Sequence, residues 1–179
     1  MLERAALITA LSELAHLLNT WKIPTRVHIV GGAALALEHD PERLATQDVD
    51  AWILSAQHHG DTITNAIEHI AAAHNWPNDW LNESARIFIP NEVGSDTKHW
   101  ITVHEIGVVT TLVASAELLL VMKLRAARGR RDLPDASTLQ RLLNLTADDI
   151  ATLYDHHYPD DPLSVRARVW LERLRSEER

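Results

Sequence analysis

The chain of 179 residues has no cysteine. Disulfides, thiolate catalysis and cysteine-ligated zinc are thereby excluded. It also lacks net positive charge: 17 Lys and Arg stand against 25 Asp and Glu, a formal −8. A field of that sign repels phosphate, so nucleic acid needs a local basic patch and a DNA-coating role is disfavoured. There is no low-complexity tract, and 46% of the residues are hydrophobic, which argues against disorder. Glu3, Arg4 and Glu13 interrupt the first apolar run, a pattern not expected of a secretory leader. The most apolar stretch, Ile106 to Met122, contains Glu117 and is short for a membrane span. These absences predict a soluble, cytoplasmic protein. The length allows one core, or a core plus a small helical unit, but not two full-sized domains.

What is present is a mixed α/β pattern followed by a helical one. Apolar residues at Leu7, Leu11, Leu14, Ala15 and Leu18 predict a helix over 2–19 with one buried face. Pro24 punctuates its end, and the β-branched run 26–30 reads as a strand. Gly31-Gly32 then opens a helix-forming run, AALALEH. A second strand is expected at 48–54, and a helix at 62–74 with Asp61 or Thr62 near its cap. Residues 75–84 read as a loop holding a short helix, 85–89 (ARIFI) as a strand, and Pro90 to Lys98 as a surface loop. Two strands, 99–105 and 107–113, meet near Gly107. Helices follow at 115–128, 135–144, after Thr146, and at 163–176. Ser115 and Thr146 are their caps, although Leu118 stands where a capping box needs Glu or Gln. The expectation is an α+β protein: a small mixed sheet with flanking helices over 1–113, including the N-terminal helix, and a helical C-terminal part over 114–179 packed on it.

One segment concentrates the chemistry: VHIVGGAALALEHDPERLATQDVDAWI. A strand delivers Gly31-Gly32 to a helix start, where the backbone turns sharply and a phosphate approaches the amides. Asp48 and Asp50 follow at i and i+2, so a strand turns both carboxylates to one face. Paired carboxylates beside a phosphate-binding turn suit Mg2+, which completes its shell with water and phosphate oxygens. A two-metal clamp on attacking and leaving oxygens follows from the same geometry. Alone, Gly-Gly is ordinarily a turn and Asp-Val-Asp a solvated strand edge; only the ordered combination carries a function.

That combination resembles the signature of the nucleotidyltransferase superfamily, the fold shared with polymerase beta. Residues 43–50, RLATQDVD, look like the Arg-x-x-Thr-x-Asp-hydrophobic-Asp form of the bacterial branch related to AbiE-type abortive-infection toxins. Residues 123–135, KLRAARGRRDLPD, resemble that branch's Lys-Leu-x-Ala and Asp-x-x-Asp motifs. DWLN at 79–82 and the following ARIFIP look like the same branch, and the resemblance spans about residues 25 to 158. It implies a nucleotidyltransferase-like fold. Gly31 and Gly32 then cradle phosphate, Asp48 and Asp50 hold metal, and Lys123 is needed for activity. Asp132 supports the lysine or the acceptor. Arg43, Thr46 and Asp135 complete the substrate site. The implied reaction moves a nucleotidyl group from a nucleoside triphosphate to an acceptor, a tRNA 3′ end or a protein hydroxyl, and releases pyrophosphate. The implied setting is a toxin–antitoxin or phage-defence system with a cognate antitoxin.

Several features stand beside that reading. Many superfamily enzymes carry a third carboxylate on a later strand, and the candidate here is Glu105. Lys123 lies in a mostly apolar helix, so it either snorkels to the helix end or faces an anion, the aspartates or a triphosphate. Lys123, Arg125, Arg128, Arg130 and Arg131 form the only dense basic run, either a solvated helix end or a phosphate contact. Trp52 shares the strand parity of Asp50 and would border a base pocket; packing is the plainer role for most of the six tryptophans. The eleven histidines, including His58-His59 and His156-His157, show no zinc spacing. Two other functions stay open. A non-catalytic module of the same fold fits the missing third carboxylate, and a small-molecule nucleotidyltransferase fits the net acidity.

Overall fold

The computed structural model describes residues 1–40, 42–43, 45–55, 59–94 and 97–178. Two compact units emerge: Met1–Arg86 with Trp100–Ala114, and Ile87–His99 with Ser115–Arg179. The protein is α+β, and its strands lie in the first unit.

In that unit, α1 (Arg4–Thr20) buries Leu7, Leu11, Leu14 and Leu18 on one face, as the periodicity predicts. Each such leucine contributes roughly 2 kcal/mol of burial. Lys22, at φ 57, turns the chain into β2 (Thr25–Ile29). A short β1 (Leu2–Glu3) pairs with β3 (Ala45–Thr46). After β2 come α2 (Gly31–Ala34), a π-helical turn (Leu35–His39), β4 (Val49–Ser55) and α3 (Gly60–His74). β5 (Leu81–Asn82), β6 (Trp100–Ile106) and β7 (Val109–Ala114) complete a mixed sheet ordered β5-β4-β2-β7-β6. β2 pairs antiparallel with β4 and parallel with β7. As a central strand it is buried along almost its whole length, Val27, His28 and Ile29 included. α1 packs on β6, β7 and α3.

Two local expectations fail here. ARIFI is not a strand: Ser84–Phe88 is a 3-10 turn, and Ile87 is 72% exposed. The Asn82 side chain accepts from the Ser84 amide and starts the turn, a local bond that competes with strand pairing. No helix forms over 75–83. Asn75, in the left-handed region, ends α3, and Leu81–Asn82 join the sheet beside Val49–Asp50. Trp80 explains the pairing: its ring is buried, its Nε1 donates to Ile67 O, and its carbonyl takes the Val49 amide. The expected loop Pro90–Lys98 has a buried Val93 and includes Ser95 and Asp96, which lie outside the described residues. Elsewhere β2 and β4 begin one residue away from the expected positions.

The second unit is helical: α4 (Ala116–Ala126), α5 (Asp132–Leu143), α6 (Ala147–His157) and α7 (Val165–Glu177). Ser115 caps α4 by accepting from the Leu118 amide. Thr146 and Asp149 form a full capping box on α6. α5 starts three residues earlier than expected, because Pro134 sits in its first turn, where a missing N–H costs nothing. α4 is buried from Leu118 through Leu124, so its neighbours α5 and α6 meet an apolar helix with one charge inside it, Lys123. Among the described residues no helix is long and apolar enough to cross a membrane.

Candidate functional site

The first cluster is built where β2 ends. Gly31 adopts φ +68, a conformation open to glycine and strained for other residues. A Cβ placed on it would lie 2.8 Å from Asp50 Oδ2. The two segments are locked by backbone as well, since the Val30 amide donates to Asp50 O at 2.9 Å. A Cβ on Gly32 would meet Thr46 Oγ1 at 3.0 Å and the Arg43 guanidinium at 3.2 Å. Thr46 Oγ1 donates in turn to Asp48 O at 3.1 Å, one residue before β4 begins. Gly31, Gly32, Arg43, Thr46, Asp48 and Asp50 thus occupy one corner. Both glycines are there for space: a methyl group on either would push away a group the corner holds.

The sheet register extends this face. Asp50 and Trp52 share it by strand alternation, and Trp52 stands opposite His28 on β2. His28 is fully buried, with ring centroids 5.3 Å from Trp52 and 4.6 Å from Trp100. Neither imidazole nitrogen makes a full hydrogen bond, nor does the buried Trp52 Nε1. Burial pushes His28 down to about 4, with the Trp52 backbone opposing and Arg26 reinforcing the shift. The Arg86 guanidinium lies 5.9 Å from the centre of the Trp52 ring. Half-buried Trp52 is therefore fixed on several sides. Sequence reading missed His28; its parity with Trp52 across an antiparallel pair was the signal, readable only once the register is known.

The second cluster lies in the helical unit. Lys123 neither snorkels nor reaches water freely: its side chain is 9% exposed. Its Nζ sits 3.3 Å from Asp132 Oδ1 and 2.7 Å from Asp135 Oδ2. Asp132, fully buried, also accepts from the Arg128 amide, Nε and terminal nitrogen at 2.8, 2.8 and 3.2 Å. Burial alone would raise its carboxyl, but the Arg128 hydrogen bonds and the Lys123 charge outweigh burial and hold it below the usual range. Two cations and two carboxylates balance. The basic run is thereby divided: Lys123 and Arg128 serve this network, and Arg125 pairs with Asp161 at 2.8 Å and stacks on Tyr158. Arg130 and Arg131 are exposed.

No protein-family model matches the chain, and neither curated proteins nor solved structures give a match. Function therefore rests on these two clusters.

Glu105 does not join the aspartates. Its row crosses the sheet through Thr110 and Arg26 to Leu54, four residues along β4 from Asp50. With three interstrand steps added, the separation is about 20 Å by ordinary sheet spacings. Among the described residues no group of three His, Cys, Asp or Glu is placed to hold a metal ion. Asp50 lies on β4 and Asp48 just before its first residue, so the pair offers at most two carboxylates. That number fits magnesium, which keeps several waters and takes phosphate oxygens, and does not fit an all-protein cage. His157 packs against His99 at 5.2 Å and against His156 at 5.3 Å between ring centres, and His58 lies outside the described residues.

Proposed function

We propose that this protein is a magnesium-dependent nucleotidyltransferase. It would move a nucleotidyl group from a nucleoside triphosphate to an acceptor hydroxyl, on an RNA end or a protein. The observation that carries this reading is the seating of Gly31 against the Asp50 carboxylate, with Arg43 and Thr46 over Gly32. Such a corner suits a triphosphate. Glycine backbone admits phosphate closely, and a guanidinium gives it two parallel donors. Asp48 and Asp50 would hold magnesium, which supplies neutralisation of phosphate charge when bound. The residues of the chain bind and orient the phosphates; positioning of this kind supplies most of the rate in phosphoryl chemistry. The parts of Lys123, Asp132 and Asp135 in the reaction, and a toxin–antitoxin or phage-defence setting with an antitoxin partner, rest on the family resemblance.

Titration of nucleoside triphosphates with and without magnesium tests the site. Wild type should gain affinity with magnesium, and the Asp48→Ala/Asp50→Ala double variant should lose that gain. Equal binding in all arms would overturn the metal site. Labelled triphosphate incubated with bulk tRNA, and separately with cell protein, then identifies the acceptor. A second reading, a non-catalytic nucleotide-binding module, is favoured by the absence of a third carboxylate near the pair among the described residues. It predicts magnesium-assisted binding with no label transferred.

A further inference from the structure

Charge is divided unequally along the chain. Segments 1–86 and 100–114 hold twelve acidic and five basic residues, a net −7. Segments 87–99 and 115–179 hold thirteen acidic and twelve basic, a net −1. Within the helical unit, a groove of about 490 Å³ runs between α5 and α7. Its apolar lining is Leu133 and Pro134 from α5 and Trp170 and Leu174 from α7. Each helix spends another stripe on the core: Ala136 and Leu139 on α5, Ala167 and Leu171 on α7. Trp170 Nε1 donates to Ser137 Oγ at 3.2 Å, bridging the two helices and setting the ring's orientation.

The charged lining is two arginines and one glutamate, a net of one positive charge. Arg141 and Arg173 line the groove, and Gly129 at its end belongs to the loop that carries exposed Arg130 and Arg131. Arg141 bonds neutral acceptors, Ser137 O and the Thr138 hydroxyl. Glu177 is the one acidic lining residue, and it pairs with Arg173 at 3.0 Å. Val165 and Val169, 66% and 58% exposed, lead along one stripe of α7 to Arg173.

We propose that the α5–α7 groove docks an amphipathic, acidic helix of a partner protein. Its apolar stripe would cover Leu133, Trp170 and Leu174, and its carboxylates would meet Arg141, Arg173 and the Arg130–Arg131 loop. Two helices splayed around an apolar floor are completed by a third, which is the ordinary helix-in-groove mode. Arg141 in the lining and the exposed Arg130 and Arg131 of the adjoining loop, on a chain of net charge −8, favour an acidic occupant. A single RNA strand would use the arginines but leave Leu133, Pro134, Leu174 and the two valines uncovered. The proposal is independent of the nucleotidyl-transfer reading.

The test uses the full chain and three fluorescent probes. Two are synthetic helical peptides of about four turns with the same leucine stripe, flanked by Glu in one and by Lys in the other. The third is a labelled oligouridine. The Glu peptide should bind in the micromolar range, the Lys peptide about tenfold or more weakly, and the Trp170 indole resonance should shift on binding. Arg141→Glu/Arg173→Glu, both at the surface, should cost about tenfold in affinity for the Glu peptide while the thermal midpoint stays unchanged. Trp170→Phe should keep the fold and weaken binding. Four outcomes would each overturn the proposal: no binding of the Glu peptide, equal binding of both peptides, displacement of the Glu peptide by oligouridine, or self-association of the chain that the arginine variant abolishes.

Discussion

Replacing Asp132 tests whether the Lys123 network holds the helical unit together. Asp132 is fully buried and accepts four hydrogen bonds, one from Lys123 and three from Arg128. Asp132→Ala leaves two kinds of orphan. The Arg128 amide loses its acceptor in a part-buried bond, a penalty of about 1 kcal/mol. Lys123 loses one of two carboxylates but keeps Asp135 at 2.7 Å, so its charge is only partly uncompensated. The Arg128 side chain is 52% exposed and can turn to water. The expected cost is about 3 kcal/mol, the low end for breaking a buried pair. Asp132→Asn keeps the shape and some acceptors and should cost about half as much. Lys123→Met should cost about 3 kcal/mol, because Asp132 retains Arg128 but Asp135, only 10% exposed, loses its nearest cation. The double variant should show about 1 kcal/mol of coupling. Urea unfolding followed by far-UV circular dichroism measures all four. The pH sign is fixed too. The Asp132 carboxyl is held below its ordinary 3.8, so its contribution is complete above that value and lost as pH falls through the folded pKa. The gap between wild type and Asp132→Asn should therefore narrow in acid. A cost under about 1 kcal/mol for Asp132→Ala, or a gap that widens on acidification, would refute the reasoning.

Other consequences concern the sheet unit. Gly31→Ala forces a Cβ at φ +68 against Asp50, so it should destabilise by about 1–2 kcal/mol and abolish magnesium-assisted nucleotide binding, read by thermal shift and calorimetry. Gly107→Ala places a Cβ 2.1 Å from Asn19 Oδ1, which also accepts from the Val108 amide; a loss of about 2 kcal/mol is expected, against about 1 for Asn19→Ala. A wild-type value for Gly107→Ala would remove that turn from the account. His28, pushed down to about 4, stays neutral while the unfolded chain protonates below 6.5. Stability should therefore fall between pH 6.5 and 4, by about 3 kcal/mol for this ring. His28→Phe should flatten that part of the pH profile and raise stability at pH 7 by about 1 kcal/mol, since two buried nitrogens without a full hydrogen bond disappear.

Much of this structure was legible from local pattern. The leucine spacing of α1, the Ser115 and Thr146 caps and the β6–β7 hairpin around Gly107 depend on residues within a turn or two of each other. So does the shared face of Asp50 and Trp52, since strand alternation alone sets it. The Gly31–Gly32 turn was legible as a turn, but the group filling the space at each glycine was not. Asp50 and Arg43 reach those positions through long-range pairing that spacing does not encode. ARIFI shows the opposite case, a good strand former overruled by an Asx turn from Asn82 and left without a partner strand. Glu105 was a reasonable third carboxylate until the register put it about three strands and four residues away. Lys123 is the clearest division. An apolar helix with one lysine predicts that the charge must be answered, because burial without a partner is prohibitive. Which groups answer it was decided by tertiary packing, when the loop after α4 folds back and sets the first turn of α5, with Asp132 and Asp135, against the ammonium.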